Sequence, residues 1–229
     1  MHPHHHTHIR RSSFRRSVLV RVKTIQPSQK NILDTIVRLH VTAFKGFFLS
    51  SLHKGFLMQL YRSFIEHDKS ELLVAVDDDG KAVGFLACSW DSRDMYRFML
   101  RKHLISFMWY SFLSFLKKPS IFAKMFGALG MPSKSVRNEN YVKIFSIAVD
   151  PEYQHQNIGS LLIEELKSRV DFNTYHYITL ETDADDNDYA NSFYMKNGLV
   201  LSSRYITPEG RRMNKYHYRV NPRNANTVS

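Results

Sequence analysis

Cysteine occurs once in the 229 residues, at Cys88, so neither an internal disulfide framework nor a cysteine-rich zinc site is possible. A reducing, cytoplasmic setting is expected, and thiol–disulfide chemistry drops out as a function class. Nowhere does the chain carry the roughly 18 to 20 consecutive apolar residues that cross a bilayer, and its first residues lack the apolar stretch of a secretory signal. Acidic residues are outnumbered, 21 against 32 Lys and Arg, giving a formal net charge of +11. That excess favours anionic partners, whether phosphorylated cofactors, nucleic acids or acidic lipid surfaces. Helix-turn-helix, zinc-finger and RNP patterns are missing, and most aromatic residues fall at core spacing, so no nucleic-acid partner is expected.

What is present suits one globular domain over residues 18–220, with 43% hydrophobic residues to build a sheet covered by helices. Residues 1–17, MHPHHHTHIRRSSFRRS, are basic and His-rich with almost no apolar content, and read as a disordered leader. His2, His4, His5, His6 and His8 in it offer a metal no preorganised geometry, so no metal is expected. The polar tail 221–229 reads as frayed.

Periodicity predicts a strand over Val18 to Ile25 and amphipathic helices over Gln29 to Ala43 and Lys54 to His67. Strands follow over Glu71 to Val76 and Ala82 to Trp90, joined by Asp77, Asp78, Asp79 and Gly80, a hairpin signal. From Ser92 to about Met131 the pattern is helical and rich in aromatic residues, as expected of an inserted helical hairpin broken near Pro119. A strand Tyr141 to Val149, a helix Gly159 to Val170, a strand His176 to Thr182 and a helix Asn187 to Asn197 then alternate, which requires part of the sheet to be parallel. Strands Leu199 to Ile206 and Arg212 to Val220 close the domain.

Chemistry concentrates where Ser146-Ile-Ala-Val-Asp-Pro-Glu-Tyr-Gln-His-Gln-Asn-Ile-Gly-Ser160 leaves a buried strand, passes a polar loop and enters a helix. Such a junction turns unpaired backbone N–H groups and the positive helix end toward one point, which fits a pyrophosphate. The donors would be the amides of Gln154, His155, Gln156, Asn157, Ile158, Gly159 and Ser160, with Gly159 allowing a close approach of backbone to ligand.

This segment resembles the acetyl-CoA signature of the GNAT superfamily of N-acetyltransferases, Gln or Arg, two residues, Gly, one residue, Gly or Ala, met here by Gln154, Asn157 and Gly159. Asn157 replaces the usual glycine and is one of the few other residues that tolerate a left-handed backbone. Leu180-Glu-Thr-Asp-Ala-Asp-Asp-Asn187, followed by Ala190, Phe193, Tyr194, Lys196, Asn197, Gly198 and Leu199, resembles the next strand and helix of the same family. The resemblance covers Leu72 to Tyr218. It implies an α/β fold with a mixed, mostly antiparallel sheet, a central parallel splayed strand pair flanked by helices, and a helical insertion between the third and fourth strands.

It also implies roles. Ile147, Ala148 and Val149 would bind pantetheine through their backbone and orient the thioester carbonyl, Asn187 would reach the pantetheine arm, and Tyr194 would lie near the sulfur. A tyrosine of ordinary pKa about 10 is protonated at neutral pH and can quench a departing thiolate. Strand alternation points Glu181 away from the face of Ile178 and Leu180, which makes it the first candidate base, with Asp183 second. Acetyl-CoA is the expected co-substrate and a small-molecule primary amine the expected acceptor, joined by direct attack in a ternary complex without a Cys88 intermediate. A non-catalytic acyl-CoA-binding protein of the same fold is the alternative.

In the family the acceptor pocket is built from the first two helices and the third-to-fourth strand connection, which implicates Phe44, Phe47, Phe48 and the insertion. The stretch from His40 to Leu57 resembles bacterial acetyltransferases of cell-envelope polysaccharide synthesis, where the acceptor is an amino sugar, often on a nucleotide. Residues 104–116 are uncharged and flanked by Arg101, Lys102, Lys117 and Lys118, consistent with a lid, a homodimer contact or a membrane-surface contact. A monomer and a homodimer both remain open.

Overall fold

A computed structural model describes residues 19–26, 29, 31–44, 52–117, 140–208 and 210–220. The edge strand β1 (Arg21–Thr24) pairs antiparallel with β2 (Ser70–Val76), and β2 with β3 (Ala82–Ser89). The turn between the last two uses Gly80 at φ 77°, a left-handed conformation that a side chain would strain. Asp77 holds that turn, accepting from the backbone N–H groups of Asp79 and Lys81.

Two helices, α1 (Asn31–Ala43) and α2 (Lys54–Glu66), precede β2, and α3 (Ser92–Lys117) follows β3. Next come β4 (Tyr141–Val149), α4 (Ile158–Arg169), β5 (Tyr177–Asp183), α5 (Asp188–Lys196), β6 (Val200–Ile206) and β7 (Arg212–Tyr218). The seven strands lie in the order β1-β2-β3-β4-β5-β7-β6, and β4–β5 is the parallel pair. This is the mixed, mostly antiparallel architecture expected. The insertion enters as one continuous helix to Lys117; its expected break near Pro119 and second arm lie outside the described residues, as do the leader 1–17 and the tail 221–229.

Helical spacing decides which face each helix covers. In α1, Leu33, Ile36, Val37 and His40 recur every three or four residues and are buried, and with Leu57, Tyr61 and Phe64 of α2 they pack on Val74 and Phe85. On the opposite face α4 lays Ile158, Leu162, Ile163 and Leu166 against Leu73, Leu86, Val142 and Ile178. Each such side chain contributes on the order of 1.5–3 kcal/mol when removed from water.

The sheet is not continuous at its centre. β4 pairs with β5 only at Tyr141↔Tyr177, Val142↔Ile178 and Lys143↔Thr179, while β5 stays on β7 as far as Asp183↔Met213 and β4 stays on β3 as far as Val149↔Gly84. The divergence begins at a bulge: Cys88 faces Ile144 and Ala87 faces Ser146, which leaves Phe145 as an extra residue. A bulge bends its strand and reverses side-chain alternation beyond it. Accordingly Val142 and Ile144 face α4 before it, and Ile147 and Val149 face α4 after it, whereas Phe145 packs on Phe64 and Ala148 lies among the α1–α2 residues.

Candidate active site

The loop between β4 and α4 is shaped by local side-chain chemistry. Asp150 accepts from the Glu152 N–H and Pro151 presets the next φ, so the chain leaves β4 through a short 3-10 turn, Pro151–Tyr153. Tyr153 donates its hydroxyl to Asp77 at 2.9 Å, tying the loop to the β2–β3 turn. Burial pushes the Asp77 carboxyl up, but Tyr153 and the two turn N–H groups outweigh it and hold it below the usual range.

Beyond this turn His155 and Asn157 both adopt left-handed φ values, 64° and 59°. Asparagine at 157 thus occupies the conformation that the usual glycine would supply. From His155 to Ser160 the backbone N–H groups have no acceptor among the described residues, while that of Gln154 turns back to the Pro151 carbonyl. Asn157 caps α4 without using its side chain, so the helix presents its positive end and a concave row of amides together. These are the groups a pyrophosphate needs.

Gly159 sits where the loop meets α5. A Cβ there would fall 2.9 Å from Phe193 Cζ and 3.7 Å from Val149 Cγ2, so the bare α-carbon faces a phenylalanine ring rather than open space. The glycine therefore lets α4 and α5 approach each other.

One turn after Asn187, Asn191 of α5 is buried and uses all four of its hydrogen-bonding positions. Its amide donates to the carbonyls of Asp183 and Asn187, and its Oδ1 accepts from Asn214 Nδ2 and the Tyr216 hydroxyl, both at 2.8 Å. This fixes the pitch of α5 and carries Tyr194, three residues on, against Tyr216. Tyr194 has no hydrogen-bond partner among the described residues, and burial, then the neighbouring Tyr216, push its phenol up to about 12. It is a protonated donor without an acceptor among the described residues. Asn187, by contrast, commits its amide to Thr182 Oγ1 at 2.7 Å and the Asp183 carbonyl, which leaves Oδ1 for a ligand.

Glu181 lies on the other face of β5. Its Oε2 accepts from Lys143 Nζ at 3.2 Å across the root of the splay, beside Tyr96 and Tyr205. Burial drives Lys143 down, but the surrounding Tyr96 and Glu181 oxygens outweigh it, so the ammonium stays charged. Tyr205 is pushed up to about 12 by burial and then by the Glu181 charge. Asp183, the second candidate base, is held by Arg211 through both oxygens. Cys88 is fully enclosed, and burial pushes its thiol far up. Phe44 packs its ring 4.7 Å from His40; Phe47 and Phe48 lie outside the described residues.

The structure thus gathers Ile147, Val149, the loop to Ser160, Asn187 and Tyr194 along the α4 face of the split, and Glu181, Lys143 and Phe145 along the α1–α3 face. Among the described residues no group of three His, Cys, Asp or Glu could hold a metal ion.

The profile described as Acetyltransferase (GNAT) family matches residues 36–199, more than half of the sequence. The chain belongs to the GNAT acetyltransferases. It is an acyltransferase of that family. No curated protein sequence matches it significantly. Among solved structures it is similar to a protein from Desulfovibrio desulfuricans described as a GNAT-family acetyltransferase, at 15% identity and TM-score 0.55, covering 89% of this chain and 100% of that one. It is also similar to Arabidopsis thaliana NAA60 in complex with acetyl-CoA, at 15% identity and TM-score 0.54, covering 89% and 99%. A third likeness is to the NatC complex bound to Gag peptide and CoA, at 15% identity and TM-score 0.56, covering 88% and 99%.

Three features of this GNAT site escape a reading of the sequence alone: the second left-handed residue His155, the Asn191 clamp and the bulge at Phe145. A polar residue at a sheet-facing helical position marks Asn191. Nothing in the apolar run Ile144-Phe-Ser-Ile-Ala-Val149 marks the bulge.

Proposed function

We propose that the chain transfers the acetyl group of acetyl-CoA to the primary amine of a small molecule by direct attack in a ternary complex, in the cytoplasm. The observation that carries this reading is that the candidate acid and the candidate base approach the split from opposite faces of the sheet. Tyr194 stands on the face with the amide row, and Glu181 on the face with α1, α2 and α3.

In this reading the pyrophosphate rests on the amides of His155 to Ser160 and the pantetheine lies between β4 and β5. Alternate residues of β4 turn their N–H groups into the split, where one can stabilise the oxyanion. The amine nitrogen enters from the α1–α3 side, gives its proton to Glu181 directly or through water, and forms the C–N bond. The C–S bond then breaks and Tyr194 protonates the leaving thiolate. An amino sugar, free or carried on a nucleotide, is the acceptor class favoured by the resemblance of His40 to Leu57 and by the positive charge.

The test is thiol release from acetyl-CoA by the purified full chain with amino sugars, their nucleotide conjugates, other small amines and N-terminal peptides. Turnover with one small-amine class, lost in Tyr194→Phe, supports the reading. Turnover with peptides alone replaces the acceptor, and acetyl-CoA binding without turnover on any amine leaves the non-catalytic alternative standing.

A further inference from the structure

The helix α3 has two unlike faces. Its inner face buries Met95, Met99 and His103 against α2 and its surroundings. Successive helical residues turn by about 100°, so Arg93, Arg97, Arg101 and Met108 fall on the opposite side, with Leu100 and Ile105 at its flanks. All of these are exposed, Ile105 at 83% and Met108 at 64%, and Trp109 beside them is 59% exposed. None of the three arginines makes an ion pair with a described residue, whereas Lys102, turned away from them, pairs with Glu66. The outer face therefore carries three arginines along its first half, with Asp94, bonded to His67 and near Arg101, as the one acidic residue of α3, and is apolar along the second half, over about 24 Å of helix.

We propose that this face docks the protein reversibly on an anionic lipid surface, with the guanidinium groups on lipid phosphates, Ile105 and Met108 in the acyl boundary and Trp109 at the rim. Charge decides for lipid. Three guanidinium groups spaced one helical turn apart match an array of phosphates, and the chain's net charge of +11 adds a long-range attraction to the same surface. The apolar half supports the choice, because a protein partner would call for about one hydrogen bond per 100–200 Å², and Ile105 and Met108 present none. Tryptophan at the rim of such a patch suits the headgroup level. The first turns of α3, on another side from the arginines, border the split, where Tyr96 meets Phe145 edge-on and Ser92 contacts the Tyr141 hydroxyl. Docking would thus hold the acceptor side of the sheet near the lipid surface.

Sedimentation of the full chain with vesicles of phosphatidylcholine alone, and of phosphatidylcholine mixed with phosphatidylglycerol, tests this. Binding to the mixed vesicles only, released by high salt, is expected. The double substitution Arg97→Gln/Arg101→Gln should lower the partition coefficient roughly 25-fold, about fivefold per charge. Met108→Asp should weaken it as well, with acetyl-CoA binding and the melting temperature of every variant unchanged as the measure of folding. Equal binding to both vesicle types, no binding to either, or a dimer in sedimentation equilibrium that Met108→Asp splits without any vesicle binding, would each overturn the proposal.

Discussion

Phe193 occupies the space that a side chain on residue 159 would need, with its Cζ 2.9 Å from the position of the missing Cβ. Gly159→Ala should therefore push α5 from α4, lowering stability by about 1–3 kcal/mol, in the range of overpacked cores. It should also weaken acetyl-CoA binding, since the amide row and the Tyr194 helix meet at this contact. Denaturant unfolding and calorimetry check both. Combining the change with Phe193→Leu should restore most of the loss, and a double-mutant cycle with no coupling would show that the contact does not matter.

Asn157 at φ 59° gives a second prediction. Asn157→Gly should keep or improve acetyl-CoA affinity, whereas Asn157→Val forces a β-branched residue into a left-handed conformation and costs on the order of 1–2 kcal/mol. The KM for acetyl-CoA should rise roughly tenfold in the valine variant with kcat little changed.

Tyr194→Phe removes a hydroxyl that bonds to no described protein group, so stability should hardly move. If the phenol quenches the thiolate, kcat should fall by roughly 10²-fold or more. Because burial lifts its pKa to about 12, the phenol stays protonated through the whole working range and no basic limb of the rate profile belongs to it. Its folded value above the ordinary 10 means that the neutral form is favoured in the native state. Stability linked to it is complete below pH 10 and is lost as pH rises toward 12.

His40 carries the opposite dependence. Its Nδ1 lies 2.6 Å from the Tyr61 hydroxyl, its Nε2 has no hydrogen-bond partner among the described residues, and burial lowers its pKa to about 4. Between pH 6.5 and 4 the unfolded chain takes up a proton that the native chain refuses, so stability is present above pH 6.5 and declines as pH falls through that window. A loss of about 2 kcal/mol by pH 5 is expected at 1.36 kcal/mol per pH unit. Unfolding curves at pH 7 and pH 5 should show it, and His40→Phe should flatten the difference.

Glu181→Gln keeps an acceptor for Lys143 while removing the negative charge. A kcat/KM lower by about 10²-fold, with KM for acetyl-CoA little changed, is expected of the base. A stability loss of about 2 kcal/mol accompanies it, as for hydrogen bonds to charged groups. An unchanged kcat/KM with the same stability loss would reduce Glu181 to a partner that holds Lys143.

Much of this site was legible in the sequence because its signals are local. Pro151 after a β-prone run, Asn157 at the turn and the apolar spacing from Ile158 to Leu166 each declare their backbone state within a few residues. The placement of Tyr194 and Glu181 on opposite faces of the split was not legible, since it depends on phase. In Ile144-Phe-Ser-Ile-Ala-Val149 apolar residues face both ways, so no alternation records where one residue drops out of register. Asn191 and Phe193 were hidden for a different reason: their partners, Tyr216 and Gly159, lie far off along the chain, and only the packed sheet joins them. Glu181 was placed on the correct face by alternation alone because β5 carries no bulge.

The surplus residue in β4 turns the sheet into a book held at a spine of three residue pairs, Tyr141 to Lys143 against Tyr177 to Thr179. Beyond that spine, the strand edges that face each other carry peptide groups, which every residue type supplies alike. Side chains along the slot can then change without altering those edges. Proteins sharing only 15% of their residues with this one can therefore keep the same fold while the side chains along the slot diverge.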